Sequence, residues 1–151
     1  MNILFLGDIV STPGREALKK RLPTLREQHN LTAVIANGEN AANNGRGLTA
    51  ADAQEILAAG VDAITLGDHT FDQKGTEDWL AGHPRVIRPV NYPQGTIGRG
   101  TVTFTAGGKR ITVINLMGRV FMKPLVDCPF ALSRKLWEDH KLGETCDALI
   151  V

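Results

Sequence analysis

The sequence predicts an α/β fold built on a parallel sheet, and three observations carry that prediction. Short apolar runs alternate with stretches of helical periodicity along the first ninety or so residues. Three of those runs end in glycine followed at once by an acid: Leu4-Phe5-Leu6-Gly7-Asp8, Val34-Ile35-Ala36-Asn37-Gly38-Glu39 and Ile64-Thr65-Leu66-Gly67-Asp68. After residue 100 the pattern changes to strand, turn and strand. Neighbouring parallel strands bring their carboxyl ends to one edge of the sheet, the edge at which open α/β folds place ligands. Asp8, Glu39 and Asp68 then converge. Three carboxylates in a partly desolvated cleft repel one another unless a cation or a shared proton offsets them, so the pattern reads as a metal site.

Taken in order, Asn2 to Gly7 reads as a buried strand. Pro13-Gly14-Arg15 opens a helix with Leu18, Leu22 and Leu25 on one stripe, which Pro23 should bend or break. Thr32 to Asn37 is the second strand. A loop rich in glycine and asparagine, Gly38 to Gly47, leads to Thr49-Ala50-Ala51-Asp52, a capping box with Asp in place of Glu, and the helix it starts should end at Gly60. Val61 to Leu66 is the third strand, Gln73 to Ala81 a helix, and Arg85 to Arg88 a short fourth strand ended by Pro89. Thr101 to Thr105 and Arg110 to Leu116 flank a turn at Ala106 to Lys109, a hairpin that either extends the first sheet or begins a second one packed on it. Phe130 to His140 reads as a helix and Asp147 to Val151 as a further buried strand. No linker or repeat divides the chain, so residues 1–151 are expected to form a single domain.

Composition narrows the function classes. With 151 residues, 42% of them hydrophobic, and a formal net charge of +1, the chain can bury a core but carries no basic field for bulk nucleic-acid binding. Its start lacks the features of a signal peptide and no apolar run reaches membrane-spanning length, which points to a cytoplasmic protein with no membrane partner. Cys128 and Cys146 are too few for a disulfide framework, suit a reducing compartment and read as packing residues. Trp79 and Trp137 read as helix residues facing the core rather than a base-stacking platform. There is no Gly-x-Ser-x-Gly elbow, no P-loop and no Gly-x-Gly-x-x-Gly after the first strand. Taken alone, several residues keep two readings. His69 is either a satisfied structural histidine or a functional one, and Arg119 either a phosphate-binding residue or half of an ordinary ion pair. Asn43 and Asn44 are turn residues.

Five ordered motifs then carry a resemblance: Gly7-Asp8, Gly38-Glu39-Asn40-Ala41-Ala42, Gly67-Asp68-His69-Thr70-Phe71-Asp72, Arg88-Pro89-Val90-Asn91-Tyr92-Pro93 and Asn115-Leu116-Met117-Gly118-Arg119-Val120-Phe121-Met122. Together they resemble the YmdB-type bacterial metallophosphoesterases, calcineurin-like enzymes described as 2′,3′-cyclic-nucleotide 2′-phosphodiesterases. The resemblance implies a calcineurin-like α/β fold, a sheet core flanked by helices, acting on a small phosphodiester with two divalent or trivalent metal ions, Fe, Mn or Mg. By the same resemblance Asp8 binds one metal, Glu39 bridges both, Asn40 binds the first and Asp68 the second. His69 matches the proton donor, and Arg119 is a candidate for the substrate phosphate. Asp68 stands where the family writes Asn, which retunes the second metal position.

The family also carries later Asp-Phe-His and Gly-Thr-His-Thr-His segments with three metal-binding histidines, and His29, His83 and His140 have no matching neighbours. The chain is therefore expected to correspond to roughly the first three-fifths of the family's length, with an incomplete carboxyl end, partial metal occupancy and little turnover. Open edges near Thr112 to Leu116 or Ala148 to Val151 predict self-association into a homo-oligomer. A phosphomonoesterase with the same metals, or a non-catalytic metal-binding or interaction module, are the alternative readings.

Overall fold

The computed structural model describes residues 1–151 and contains two sheets. The first is wholly parallel, in the order β1-β2-β3-β4: β1 (Ile3–Leu6), β2 (Ala33–Asn37), β3 (Ala63–Thr65) and β4 (Val86–Ile87). Three helices connect its strands: α1 (Ser11–Gln28), α2 (Ala50–Ala58) and α3 (Thr76–Leu80). The second sheet holds β5 (Thr101–Ala106), β6 (Lys109–Ile114) and β7 (Ala148–Ile150), with β5 antiparallel and β7 parallel to β6; α4 (Pro129–Asp139) precedes β7. The hairpin thus begins a second sheet rather than widening the first.

Side-chain alternation along the strands builds two cores from one sheet. Val34 and Ala36 of β2 and Ile64 of β3 face the helices and pack with Leu18, Leu22 and Ile56. Ala33 and Ile35 of β2 and Ala63 of β3 face the other way, against Val102, Ile111 and Val113 of the second sheet. β2 is buried on both faces, as the central strands of parallel sheets are. The result is three layers: helices, parallel sheet, mixed sheet.

Local chemistry explains where elements begin and end. Thr49 caps α2 by accepting from the Asp52 N–H at 3.2 Å, while its hydroxyl donates to the Asp52 carboxylate at 2.6 Å, the expected capping box. At the hairpin, Gly107 and Gly108 have φ of 56° and 71°, the left-handed pair that a two-residue turn between twisted strands requires.

Several expectations are corrected. Pro23 does not break α1: the helix runs through it to Gln28. Leu18 and Leu22 each bury a leucine side chain, about 2 kcal/mol apiece, which offsets the roughly 3 kcal/mol cost of an interior proline. α3 is far shorter than residues 73–81, because Gly75 at its N-cap takes a left-handed backbone, φ 82°, that a helix cannot contain. Thr112 to Ile114 is not an edge, since β6 pairs on both sides; the open edges are β1 and β4 of the first sheet and β5 and β7 of the second. Trp137 is 63% exposed on a helix that buries no residue, whereas Trp79 does pack on the core. Cys146 is buried as expected, but Cys128 is exposed at the start of α4. No helix is long and apolar enough to cross a membrane.

Leu22 is fully buried between α1 and the parallel sheet, so Leu22→Ala should lower the unfolding free energy by about 2–5 kcal/mol in urea titrations. Leu125→Ala, on an exposed loop, should change it by no more than about 0.5 kcal/mol.

Candidate metal centre

The parallel registers align Leu6 with Ala36 and Asn37 with Thr65, so β1, β2 and β3 end on one edge. Asp8, Glu39 and Asp68 each follow their strand by two or three residues and stand on that edge. Backbone hydrogen bonds tie the three exits together: the Ile9 N–H donates to the Asn37 carbonyl at 3.0 Å, Ser11 to Asn40 at 2.9 Å, and Gly38 to Thr65 at 2.9 Å.

Asn40 and Asp8 meet directly. The Asn40 amide nitrogen donates to both Asp8 carboxylate oxygens, at 3.0 and 3.1 Å. Its amide oxygen is buried and has no hydrogen-bond partner. A buried, unpaired acceptor is costly, and here it lies beside a carboxylate.

Glu39 lies on the backbone of Gly67. A Cβ at Gly67 would stand 2.2 Å from one Glu39 carboxylate oxygen and 2.5 Å from the other, so no larger residue fits there while Glu39 keeps its place. The Glu39 carboxylate accepts from the Asn37 amide at 3.3 Å and, weakly, from the His69 backbone N–H at 3.5 Å. Burial raises its pKa above the ordinary glutamate value against the lowering effect of those bonds, and the Asp68 and Asp8 charges push it further up. The arrangement stores unfavourable electrostatic energy that a cation would relieve.

Residues 69–72 form a turn closed by the Asp72 N–H donating to the His69 carbonyl at 3.2 Å. The turn brings the Asp72 carboxylate to 2.7 Å from His69 Nδ1 and leaves Nε2 4.0 Å from the Asp68 carboxylate. Asp72 fixes which ring edge faces the acids. Its spacing from His69 places both side chains on one short turn, and that i, i+3 relation was the available sequence signal.

The sequence-derived set is brought to one edge but not to one point. No three His, Cys, Asp or Glu side chains gather as a ready metal cage. Glu39 and Asp68 line a cleft of about 240 Å³ together with Asn37, Asn115 and Met122, whereas Asp8 opens onto a neighbouring groove against α1. Arg119 stands apart on the loop after β6, exposed and without an ion pair.

The donor set nevertheless fits hard metal ions. It is made of carboxylate and amide oxygens, includes an unpaired buried amide oxygen, and crowds negative charge around Glu39.

Other polar residues hold the edge in place. Arg15 of α1 is buried; its guanidinium pairs with Asp52 at 3.2 Å and Glu55 at 2.7 Å and donates to the Ala41 carbonyl and, at 2.9 Å, to the Asn43 side chain. It thereby pins the loop that carries Asn40. Asn115 donates to the Leu66 carbonyl at 2.6 Å and the Ile87 carbonyl at 3.2 Å, stitching the second sheet to the exit of β3. Asn91 and Asn115 are structural clamps; Asn91 is fully buried and bonds the backbone of Met117 and Asp127. Tyr92 directs its hydroxyl at the Gly67 carbonyl, 3.4 Å away, and stands edge-on to Phe71.

Comparisons with known proteins identify the family. Residues 4–151 match the YmdB-like protein family. The chain is 44% identical over 136 residues to the 2′,3′-cyclic-nucleotide 2′-phosphodiesterase of Bacillus subtilis strain 168, covering 90% of this chain and 51% of that protein. Among solved structures it resembles a hypothetical protein from Thermus thermophilus (TM-score 0.86, 39% identity, 99% of this chain and 56% of that one). A novel phosphatase from Mycoplasma pneumoniae matches with a TM-score of 0.87 and 29% identity, over 99% of this chain and 53% of that one. The chain thus spans about half the length of these relatives, less than the three-fifths expected from its motifs.

Two outcomes test the centre. Gly67→Ala should displace the Glu39 carboxylate and weaken manganese binding at least tenfold by isothermal titration, with the fold retained by circular dichroism. Lys19 and then Arg15 hold the Glu55 carboxyl below its ordinary value, so its contribution to stability is present above that value and lost as pH falls through the depressed one. Glu55→Gln should therefore destabilise the protein at neutral pH, and the difference in urea midpoint should vanish in acid.

Proposed function

This chain belongs to the YmdB-like protein family and has the α/β fold of calcineurin-like metallophosphoesterases, and from that premise we propose that it carries the oxygen-ligand half of a metal-dependent phosphodiesterase centre for 2′,3′-cyclic nucleotides or similar small phosphodiesters. The observation that carries the reading is the half-buried Glu39 carboxylate held against the bare Gly67 backbone, with Asp8 and Asp68 on the same sheet edge and the Asn40 amide oxygen unpaired. Asp8 and Asn40 would hold one ion, Asp68 a second, and Glu39 would bridge them. Bound there, two such ions of Fe, Mn or Mg would supply Lewis-acid activation of water and charge neutralisation at the phosphoryl group.

The chain's own residues supply the rest. His69 Nε2, turned toward Asp68 by the Asp72 contact at Nδ1, holds the proton given to the departing ribose oxygen. Asn37 and the His69 backbone N–H orient the Glu39 carboxylate. Arg119, exposed on the loop after β6 and without a carboxylate partner, is the candidate for pairing with the substrate phosphate. The open β7 edge favours self-association, and two free cysteines suit the cytoplasm.

Metal content measured alongside turnover of 2′,3′-cyclic AMP tests the reading. In a full-length version of the protein, His69→Ala should lower turnover by about a hundredfold or more with metal content nearly unchanged, whereas Glu39→Ala should remove both. Equal metal loss in the two variants would make His69 a ligand instead. Because the donors of this chain are oxygens alone, manganese and magnesium should bind weakly and be stripped readily by a chelator. Tight binding of two ions by this chain would contradict that half-site.

A further inference from the structure

The loop between β6 and α4 is held like a handle. Asn91 donates to the Met117 carbonyl at 2.8 Å and the Asp127 carbonyl at 3.0 Å, its amide oxygen accepts from Met117 N–H at 3.0 Å, and its own carbonyl accepts from Asp127 N–H at 2.8 Å. One fully buried residue therefore closes both ends of a loop of about ten residues.

Between those ends the side chains are the reverse of what a solvated loop carries. Val120, Phe121 and Leu125 are exposed, and Phe121 is 100% so. Phe121 also adopts φ of 61°, a left-handed conformation that an aromatic side chain disfavours. The next residue, Met122, lines the cleft that holds Glu39 and Asp68. Arg119 and Lys123 flank this apolar tip, both exposed and neither in an ion pair.

An apolar, aromatic-bearing tip between two cations, joined through Met122 to an anionic cleft that suits metal ions, is complementary to a ligand with an aromatic ring and a phosphate. We propose that residues 118–125 form the base-recognition element of this cleft, with Phe121 and Met122 as the platform for a nucleobase and Arg119 and Lys123 at its phosphate side. The inference rests on the phosphoester reading above and adds to it where the base of the substrate sits. Stacking platforms of this kind tolerate different bases, because every base presents a π-face.

The test is equilibrium binding, in manganese, of two matched probes: adenosine 3′-monophosphate and 1-O-methylribose 3-phosphate, which has the same sugar phosphate and no base. The wild-type chain should prefer the nucleotide. In the Phe121→Ala variant the nucleotide should bind about tenfold more weakly and the base-free probe as before, with unchanged circular dichroism and thermal midpoint. Equal weakening of both probes, or no weakening of the nucleotide, overturns the base platform. So does a wild-type chain that binds the base-free probe equally well, although the phosphoester reading then stands. If neither probe binds the wild type, both readings fall. A Phe121→Ala variant that sediments as a smaller species than wild type, with nucleotide affinity intact, would make the loop an interface between copies of the chain and overturn the inference.

Discussion

A carboxylate pressed against a bare backbone is the constraint on which the arrangement of this edge depends. Glu39 occupies the space that any side chain at position 67 would fill, and it does so while partly desolvated and within the field of Asp68 and Asp8. Such a position is unfavourable for a charged group and persists because the surroundings leave it no alternative. The β2–β3 register sets the distance between the two exits, the Asn37 amide and the His69 N–H hold the carboxylate, and the turn at 69–72 is folded by its own hydrogen bonds. Remove the close approach and the three acids would relax apart into solvent.

Buried polar groups, rather than apolar packing, transmit the order of the sheet to the loops around this edge. Arg15 joins α1, α2 and the loop bearing Asn40 through a single guanidinium, whose planar set of donors suits several acceptors at once. Arg88 does the same for the segment after β4, donating to the carbonyls of Pro89, Thr96 and Ile97. Asn91 and Asn115 bond to backbone, and each joins segments more than twenty residues apart in the chain. Loops held this way keep their shape without secondary structure of their own, which is what a surface carrying functional side chains needs.

The three layers are unequally built. The helix-facing core draws on β2, β3, β4 and three helices, and its central residues are wholly buried. The second sheet is covered by the first on one face, but α4 on its other side buries nothing completely and leaves Phe130 and Trp137 exposed. A depression of about 500 Å³ between α4 and the ends of β6 and β7 belongs to this thinly covered side. Asp8, Glu39 and Asp68 sit at the strand exits of the parallel sheet, the better-packed of the two.

The sequence by itself determined the alternation of strands and helices, the hairpin, the capping box of α2 and the placement of Asp8, Glu39 and Asp68 at strand ends. Those features follow from side-chain periodicity and from residues whose local preferences are strong, such as Thr49 or Gly107-Gly108, so a window of a few residues contains the information. What only the tertiary structure decided concerns partners distant in the chain. Pro23 is carried within a helix because Leu18 and Leu22 find a core to bury in, and Trp137 is exposed because α4 does not. Asp8 is met by an asparagine thirty-two residues away and opens onto a different groove from Glu39 and Asp68. Asn91 and Asn115 could not be told from ordinary loop residues until the backbone groups they satisfy were brought to them. Hydrogen bonds and burial depend on which distant surfaces meet, and periodicity along a single strand or helix does not encode that meeting.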